Sequence, residues 1–241
     1  MQNLNYGVIG NCSTAALISE KGAIEWLCFP EFDSPSVFAA ILDRQKGGHF
    51  GFKVTSDYKV TQSYVPHTNI LSTHFESEEG AFDVVDFMPC YPTSDGKDFY
   101  RPAEIYRYIR WAKGRPRMKV DYRPAPNYAR GKTIYNVTSQ YVETYSSVEN
   151  KDRQYLYSSL DLKKVVNHDE ITLEKDEFFL FSFNEKVIPV DIEREKLEYC
   201  RTLVYWLNWT DHAKRYTRYN EVIERSMLVL KLMTYRNGAV M

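Results

Sequence analysis

The sequence predicts a mainly β protein, an antiparallel β-sandwich followed by C-terminal helices. Three observations support this prediction. Short runs of alternating apolar and polar residues extend from Tyr6 to about Val190, and turn residues such as Gly47-Gly48 separate them. Aromatic residues make up 15% of the chain, and large rings pack well on pleated strands. After Pro189 the apolar residues recur at helical spacing instead.

The composition limits the classes of partner. The chain has 241 residues, 31 basic and 32 acidic side chains, and a formal net charge of −1. No stretch approaches the roughly 20 uncharged apolar residues of a membrane-spanning helix. A near-neutral chain also lacks the strong field that bulk nucleic acid or an anionic membrane surface demands. We therefore expect no nucleic-acid partner and no membrane partner, while small neutral substrates remain open.

Strands are predicted wherever the alternation has a period of two. In order, they cover residues 14–19, 23–29, 49–54, 58–65, 69–76, 81–88, 104–111, 117–123, 133–146, 154–160 and 177–183. One short helix is predicted at about 35–43. Ser34 is a suitable N-cap, Pro35 suits the first helical position, and apolar residues follow at helical spacing.

Two longer helices are predicted at the C-terminal end, over residues 191–215 and 219–235. In the first, a broad apolar face with charges opposite is expected to comprise Leu197, Cys200, Leu203, Val204, Trp206 and Leu207. The second is apolar on almost every side between Met227 and Met233, so it needs burial on more than one face. We therefore expect the sequence to be truncated at the entrance to a second, helical domain.

The sequence shows no convincing catalytic or metal-binding pattern. We therefore predict no catalytic residue, no metal ligand and no cofactor. Asp83 and Asp86 lie three apart on a predicted strand, so they point to opposite faces. Glu25, Asp33 and Asp86 could still converge in space. The five histidines lack the spacing of a metal motif. Residues 107–132 are basic and interleaved with aromatics, a pattern more typical of a polar strand face than of a nucleic-acid platform.

The segment from Trp26 to Phe38 is rich in aromatic residues and prolines. On composition alone it is best interpreted as a loop that lines the core. The functional alternative is a sugar-facing rim, in which Trp26 or Phe29 stacks on a pyranose ring and Asp33 accepts hydrogen bonds from hydroxyl groups. Trp26, Phe29 and Asp33 are the candidate substrate-binding residues.

The cellular compartment is predicted from the N-terminal residues and from the cysteines. The N-terminus lacks a basic region followed by an apolar one, so no signal peptide is expected. The four cysteines are far apart and too sparse for a disulfide framework. We expect reduced, mostly buried thiols and a cytoplasmic protein.

Several motifs keep an order and spacing typical of one family. They are Tyr6-Gly-Val-Ile-Gly-Asn11, Gly22-Ala-Ile-Glu-Trp-Leu-Cys-Phe-Pro30, Phe32-Asp-Ser-Pro-Ser-Val-Phe38, Val85-Asp-Phe-Met-Pro89 and Pro126-Asn-Tyr-Ala-Arg130. With them the chain resembles the N-terminal region of prokaryotic glycoside hydrolase family 15 proteins, the glucoamylase-like and trehalase-like enzymes. Ala129 stands where the family pattern has glycine.

The resemblance implies an N-terminal β-supersandwich over residues 1–190, a helical linker over 191–215, and the first helix of an α/α barrel catalytic domain over 216–241. It also implies inversion at an α-glucosidic bond by two glutamates of the barrel, which would lie beyond this sequence. The implied partners are the chain's own barrel and an α-glucan, an oligosaccharide or trehalose. The alternative is a free-standing carbohydrate-binding or interaction module, which would have no use for the apolar C-terminal helix.

Overall fold

A computed structural model describes residues 5–55, 57–148, 151–187, 190–235 and 237–241. The described residues form seventeen strands and three helices. The strands are β1 (Tyr6–Gly10), β2 (Ala15–Ser19), β3 (Ile24–Cys28), β4 (Ser36–Phe38), β5 (His49–Lys53), β6 (Lys59–Tyr64), β7 (Leu71–Ser77), β8 (Gly80–Phe87), β9 (Tyr91–Pro92), β10 (Phe99–Tyr100), β11 (Glu104–Gly114), β12 (Arg117–Arg123), β13 (Thr133–Val137), β14 (Val142–Ser146), β15 (Gln154–Ser158), β16 (Glu170–Thr172) and β17 (Glu177–Phe183). The helices are α1 (Leu162–Asn167), α2 (Ile192–Asp211) and α3 (Asn220–Leu232).

Two large antiparallel sheets form a sandwich, which confirms the predicted fold class. The seven-stranded sheet has the order β1-β2-β3-β5-β12-β16, with β4 beside β3. The eight-stranded sheet has the order β13-β14-β15-β17-β11-β8-β7-β6. The short hairpin of β9 and β10 stands apart from both sheets.

Aromatic rings fill the space between the sheets. Phe50 packs edge-on against Phe179 with the ring centroids 5.4 Å apart, and Phe38 lies 5.5 Å from Phe181. These rings come from both sheets and are fully buried. The aromatic content of the sequence is therefore explained largely by core packing.

A second core covers the outer face of the eight-stranded sheet. Here α2 and α3 bury Trp206, Leu228 and Leu232 against Phe87 and Leu180 of the sheet. The side-chain amide of Asn69 donates to the backbone oxygen of Leu228 at 3.0 Å, which anchors α3 at the β6–β7 turn. Among the described helices, none combines the length and the apolar character that crossing a membrane requires.

The predicted helix at 35–43 is wrong. Residues Ser36–Phe38 form β4, which pairs with β3 through Leu27↔Phe38 and Cys28↔Ser36. The Ala39 and Ala40 amides then donate to the Gly47 and Gly48 carbonyls, which closes a loop instead of a helical turn. Pairing with β3 and burial of Phe38 outweigh the local capping pattern. A short helix forms elsewhere, at α1, where Asp161 caps the N-terminus.

The helix predicted over residues 191–215 forms as α2 but ends at Asp211, and its orientation differs from the predicted one. The face of α2 that contacts the sandwich contains Glu195, Glu198 and Thr202, together with Tyr205 and Trp206. Trp206 is thus buried as predicted, and Leu203 is half-buried. The other members of the predicted apolar face point to solvent: Leu197, Cys200, Val204 and Leu207. We call these four residues the outward stripe.

The outward stripe has a regular geometry. Its members recur at intervals of three and four residues, so they lie along one side of the helix, opposite the buried face. Val204 is 63% exposed and Leu197 is 48% exposed. An apolar line of this spacing is typical of a helix that packs against a second helix.

Candidate functional site

A large open cavity lies between the β9–β10 hairpin and α2. We call it the helix–hairpin groove, and its volume is about 1330 Å³. The hairpin contributes Tyr91, Phe99 and Tyr100. One side of α2 contributes side chains between Arg194 and Trp209, and His212 follows at the C-cap. Asp191 caps the start of α2 by accepting a 2.8 Å hydrogen bond from the Arg194 amide, which positions the first of these side chains.

A network of charged and phenolic groups links the two walls of the groove. The Tyr91 hydroxyl donates to Oε2 of Glu198 at 2.7 Å, and the Arg201 guanidinium donates to Tyr91 and to Oε1 of Glu198 at 3.3 and 3.4 Å. Burial raises the pKa of Tyr91, and its hydrogen bond to Glu198 raises it further. The phenol therefore stays protonated and acts as a hydrogen-bond donor.

Aromatic rings form much of the remaining lining. The Tyr91 and Tyr100 rings are 5.1 Å apart, and the Phe99 ring meets Tyr205 edge-on at 5.9 Å. Trp209 is half-buried on the same side of α2. A preformed concave surface that combines apolar rings with a few placed polar groups is suited to bind a small molecule without reacting with it.

Behind the groove, α2 buries a carboxyl group that has no hydrogen-bond partner among the described residues. Both side-chain oxygens of Glu195 are inaccessible and unpaired. Burial raises the pKa of Glu195 well above its ordinary value, and the negative charges of Asp86, Glu198 and Glu104 add to this effect while Arg194 opposes it. The side chain is thus held in its neutral, protonated form in the folded protein.

Replacing Glu195 by glutamine should therefore stabilise the protein in a pH-dependent way. Above the unfolded-state pKa of 4.5 the unfolded chain releases this proton while the folded chain retains it, so wild-type stability falls as the pH rises. Glutamine has the same shape and does not titrate. Between pH 4.5 and 7.5 we expect the stability of Glu195→Gln relative to wild type to rise by about 1 to 3 kcal/mol.

Urea unfolding at the two pH values measures this effect. Glu193→Gln is the matched control, because Glu193 lies on the same helix with its side chain exposed to solvent. Equal pH dependence in both variants would show that Glu195 is not held protonated.

The candidate residues Trp26, Phe29 and Asp33 occupy three different environments. Phe29 is 1% exposed and stacks on Phe181 in the inter-sheet core, with the centroids 5.9 Å apart. Trp26 is half-buried on β3, and Asp33 is exposed in the following loop. The expected burial of the 26–38 segment therefore holds at its two ends, whereas most of residues 30–35 face solvent. A direct sugar contact by these residues stays a prediction.

The distant carboxylates do not converge. Asp86 lies between the sheets, where Arg107 holds it. Glu25 lines a separate cleft on the seven-stranded sheet and accepts a 2.5 Å hydrogen bond from the Tyr6 hydroxyl. Asp83 and Asp86 do point to opposite faces of β8, as predicted, because Asp83 pairs with His74 on the outer side.

Six of the nine basic residues of segment 107–132 meet acidic partners. Arg110 pairs with Asp83, Lys113 with Glu76, and Arg115 with Glu174. This supports the interpretation of the segment as a polar strand face. Arg107 differs from its neighbours, because it is completely buried.

The described residues lack a cluster of metal-ligating side chains. Within them, no group of three or more His, Cys, Asp or Glu side chains could hold a metal ion. Cys12, Cys28 and Cys90 are buried free thiols, as expected, whereas Cys200 is exposed on the outward stripe. Ala129, at the position where the resemblance implies a glycine, has a φ of 56°, which lies in the left-handed region.

The sequence did not predict the groove. Tyr91 and Glu198 are 107 positions apart, and no local pattern joins them. One signal was present, since α2 repeats polar or aromatic residues at Arg194, Glu198, Arg201 and Tyr205, beside the outward stripe. This row of residues forms a second face of the helix, and such a face indicates a surface that could line a groove.

Comparison with known proteins gives consistent matches. Residues 5–150 match the family model described as "Trehalase-like, N-terminal". The chain is 29% identical over 234 residues to the trehalase of Thermoplasma acidophilum, covering 93% of this chain and 39% of that protein.

Two further relatives extend these matches. The trehalase of Mycobacterium tuberculosis is 25% identical over 261 residues, covering 96% of this chain and 37% of that protein. Trehalase 1 of Sulfolobus acidocaldarius is 51% identical over 85 residues, which cover 34% of this chain and 14% of that protein. The chain thus spans about two-fifths of the length of the relatives that match it throughout.

Proposed function

The chain belongs to the trehalase-like N-terminal family, and from this premise we propose that it is the β-sandwich domain of an inverting α-glucoside hydrolase of the glycoside hydrolase family 15 type. The domain supports a helical catalytic region and does not itself cleave the substrate. The candidate substrates are those of glucoamylases, glucodextranases and trehalases. Trehalose is favoured, because the relatives that match nearly the whole chain are trehalases.

The match over residues 5–150 is the observation that carries this proposal. The outward stripe adds physical support for a partner region. An exposed apolar line on a surface helix marks an interaction site, and the relatives are much longer than this chain. A free-standing carbohydrate-binding module, the alternative, would leave that stripe in water.

The proposed chemistry needs two carboxyl groups about 6.5 to 9.5 Å apart with a water between them. We place this pair in the part of the hydrolase that lies outside the present 241 residues. The predicted limits, with the sandwich at 1–190, the linker at 191–215 and the first barrel helix at 216–241, belong to the same proposal. So do a role for Trp26, Phe29 and Asp33 at the rim of the substrate site and a cytoplasmic location.

A domain exchange tests the proposal. Residues 1–241 replace the matching region of the Thermoplasma acidophilum trehalase, and glucose release from trehalose is measured for this exchange protein and for the 241-residue chain alone. We expect the exchange protein to hydrolyse trehalose and the chain alone to match a buffer blank, because only the former holds the catalytic pair. Turnover by the chain alone, or a folded exchange protein without hydrolysis, would contradict the proposal.

A further inference from the structure

The helix–hairpin groove is long and continuous. Six lining residues recur every three or four positions along one side of α2 and at its C-cap: Arg194, Glu198, Arg201, Tyr205, Asn208 and His212. From the first to the last of these residues the helix rises by about 27 Å. The groove therefore has room for an extended chain of several units, and its volume of about 1330 Å³ exceeds that of a typical small-molecule pocket.

The lining favours a ligand with both apolar and hydroxyl-bearing faces. The rings of Tyr91 and Tyr100 lie together on the hairpin wall, and Trp209 lies on the helix wall. An aromatic face excludes water from an apolar C–H surface, while phenol and amide groups beside it hydrogen-bond hydroxyls. A pyranose ring presents these two kinds of surface.

Two of the three lysine and arginine side chains that line the groove already have acidic partners, and Lys231 is the third cation. Glu198 holds Arg201, and Arg194 lies 3.9 Å from the buried Glu104 carboxylate. Each of these two arginines therefore has an acidic partner already, which weakens the attraction for an anion. Their remaining N–H groups, together with the exposed Asn208 amide, can still donate to hydroxyl oxygens.

We propose that the helix–hairpin groove is a non-catalytic binding site for a linear α-linked gluco-oligosaccharide. The groove's size and lining assign the ligand to neutral oligosaccharides, whereas the choice of α-linked glucose rests on the proposed function. Cys200 and Val204 form the rim of the groove towards the outward stripe, so a bound oligosaccharide would lie beside the surface that is proposed to meet the catalytic region.

Titration calorimetry of the purified 241-residue chain tests the proposal with three sugars: maltohexaose, cellohexaose and trehalose. We expect maltohexaose to bind with a dissociation constant below about 1 mM and the other two at least about tenfold more weakly. Cellohexaose has the same composition with β-linkages, and trehalose fills only a small part of the groove. No saturable binding of maltohexaose, or equal binding of cellohexaose, would overturn the proposal.

Substitutions then locate the site. Tyr100→Ala and Arg201→Ala should each weaken maltohexaose binding about tenfold. Tyr128→Ala is the matched control, since Tyr128 is also an accessible tyrosine but lies outside the groove. Asn208→Ala alters an exposed side chain and gives a second groove variant should Tyr100→Ala fail to fold. Unchanged binding in folded groove variants would overturn the assignment.

The outcome is separable from that of the domain exchange. If the exchange protein hydrolyses trehalose while maltohexaose does not bind, only the groove proposal fails. If maltohexaose binds but a folded exchange protein is inactive, only the proposed function fails.

Discussion

Replacing Arg107 by methionine should destabilise the protein by about 3 to 5 kcal/mol, because it leaves the carboxylate of Asp86 buried without a partner. The guanidinium makes two hydrogen bonds to Asp86, at 2.7 and 3.1 Å, from the centre of the eight-stranded sheet. It also donates to the backbone oxygens of Phe50 and Gly22, at 2.6 and 2.5 Å, on the opposite sheet. Arg107 therefore joins the two halves of the sandwich.

Chemical unfolding of the two arginine variants of β11 measures this effect. Arg110→Met is the control, because Arg110 is half-exposed and its pair with Asp83 is long, at 3.3 Å, so we expect a loss below about 1 kcal/mol. Combining Arg107→Met with Asp86→Leu should restore much of the stability, since no buried charge then lacks a partner. A loss for Arg107→Met no greater than that for Arg110→Met would contradict this interpretation.

The sequence could predict the sandwich because strands such as β2 and β7 alternate between buried and half-buried residues. It could not predict the Arg107–Asp86 pair. Arg107 is one of several basic residues in its segment, and only the register of β11 against β8 places it opposite Asp86. The local pattern of β11 does not indicate that Arg107 is buried between the sheets while Arg110 lies at the surface.

Two errors have the same physical origin. At 35–43 a good capping pattern predicted a helix, yet strand pairing with β3 prevailed. In α2 the apolar residues predicted the buried face, yet the helix turns Glu195 and Thr202 inward and Leu197 outward. The spacing of apolar residues indicates which residues share one side of a helix or strand. It does not indicate which other element packs against that side. The proposed catalytic region would cover the outward side of α2.

Introducing charges into the outward stripe should abolish most of the activity of the exchange protein. A buried leucine or valine contributes about 1.5 to 3 kcal/mol relative to an exposed one. Placing glutamates at Leu197 and Val204 removes both contributions and adds two charges to an apolar contact. We expect trehalose hydrolysis to fall at least about tenfold, since 1.4 kcal/mol corresponds to a factor of ten.

The central claim is that the sandwich supports a catalytic region through α2. The rate of trehalose hydrolysis by three exchange proteins tests this claim most directly. The first is unaltered, the second carries Leu197→Glu and Val204→Glu, and the third carries Leu42→Glu and Val148→Glu. Leu42 and Val148 are 76% and 67% exposed outside α2, so they are the matched control for residue type. We predict that only the stripe variant loses hydrolysis while the isolated 241-residue chain stays folded with the same substitutions. Equal hydrolysis by all three exchange proteins would contradict the account.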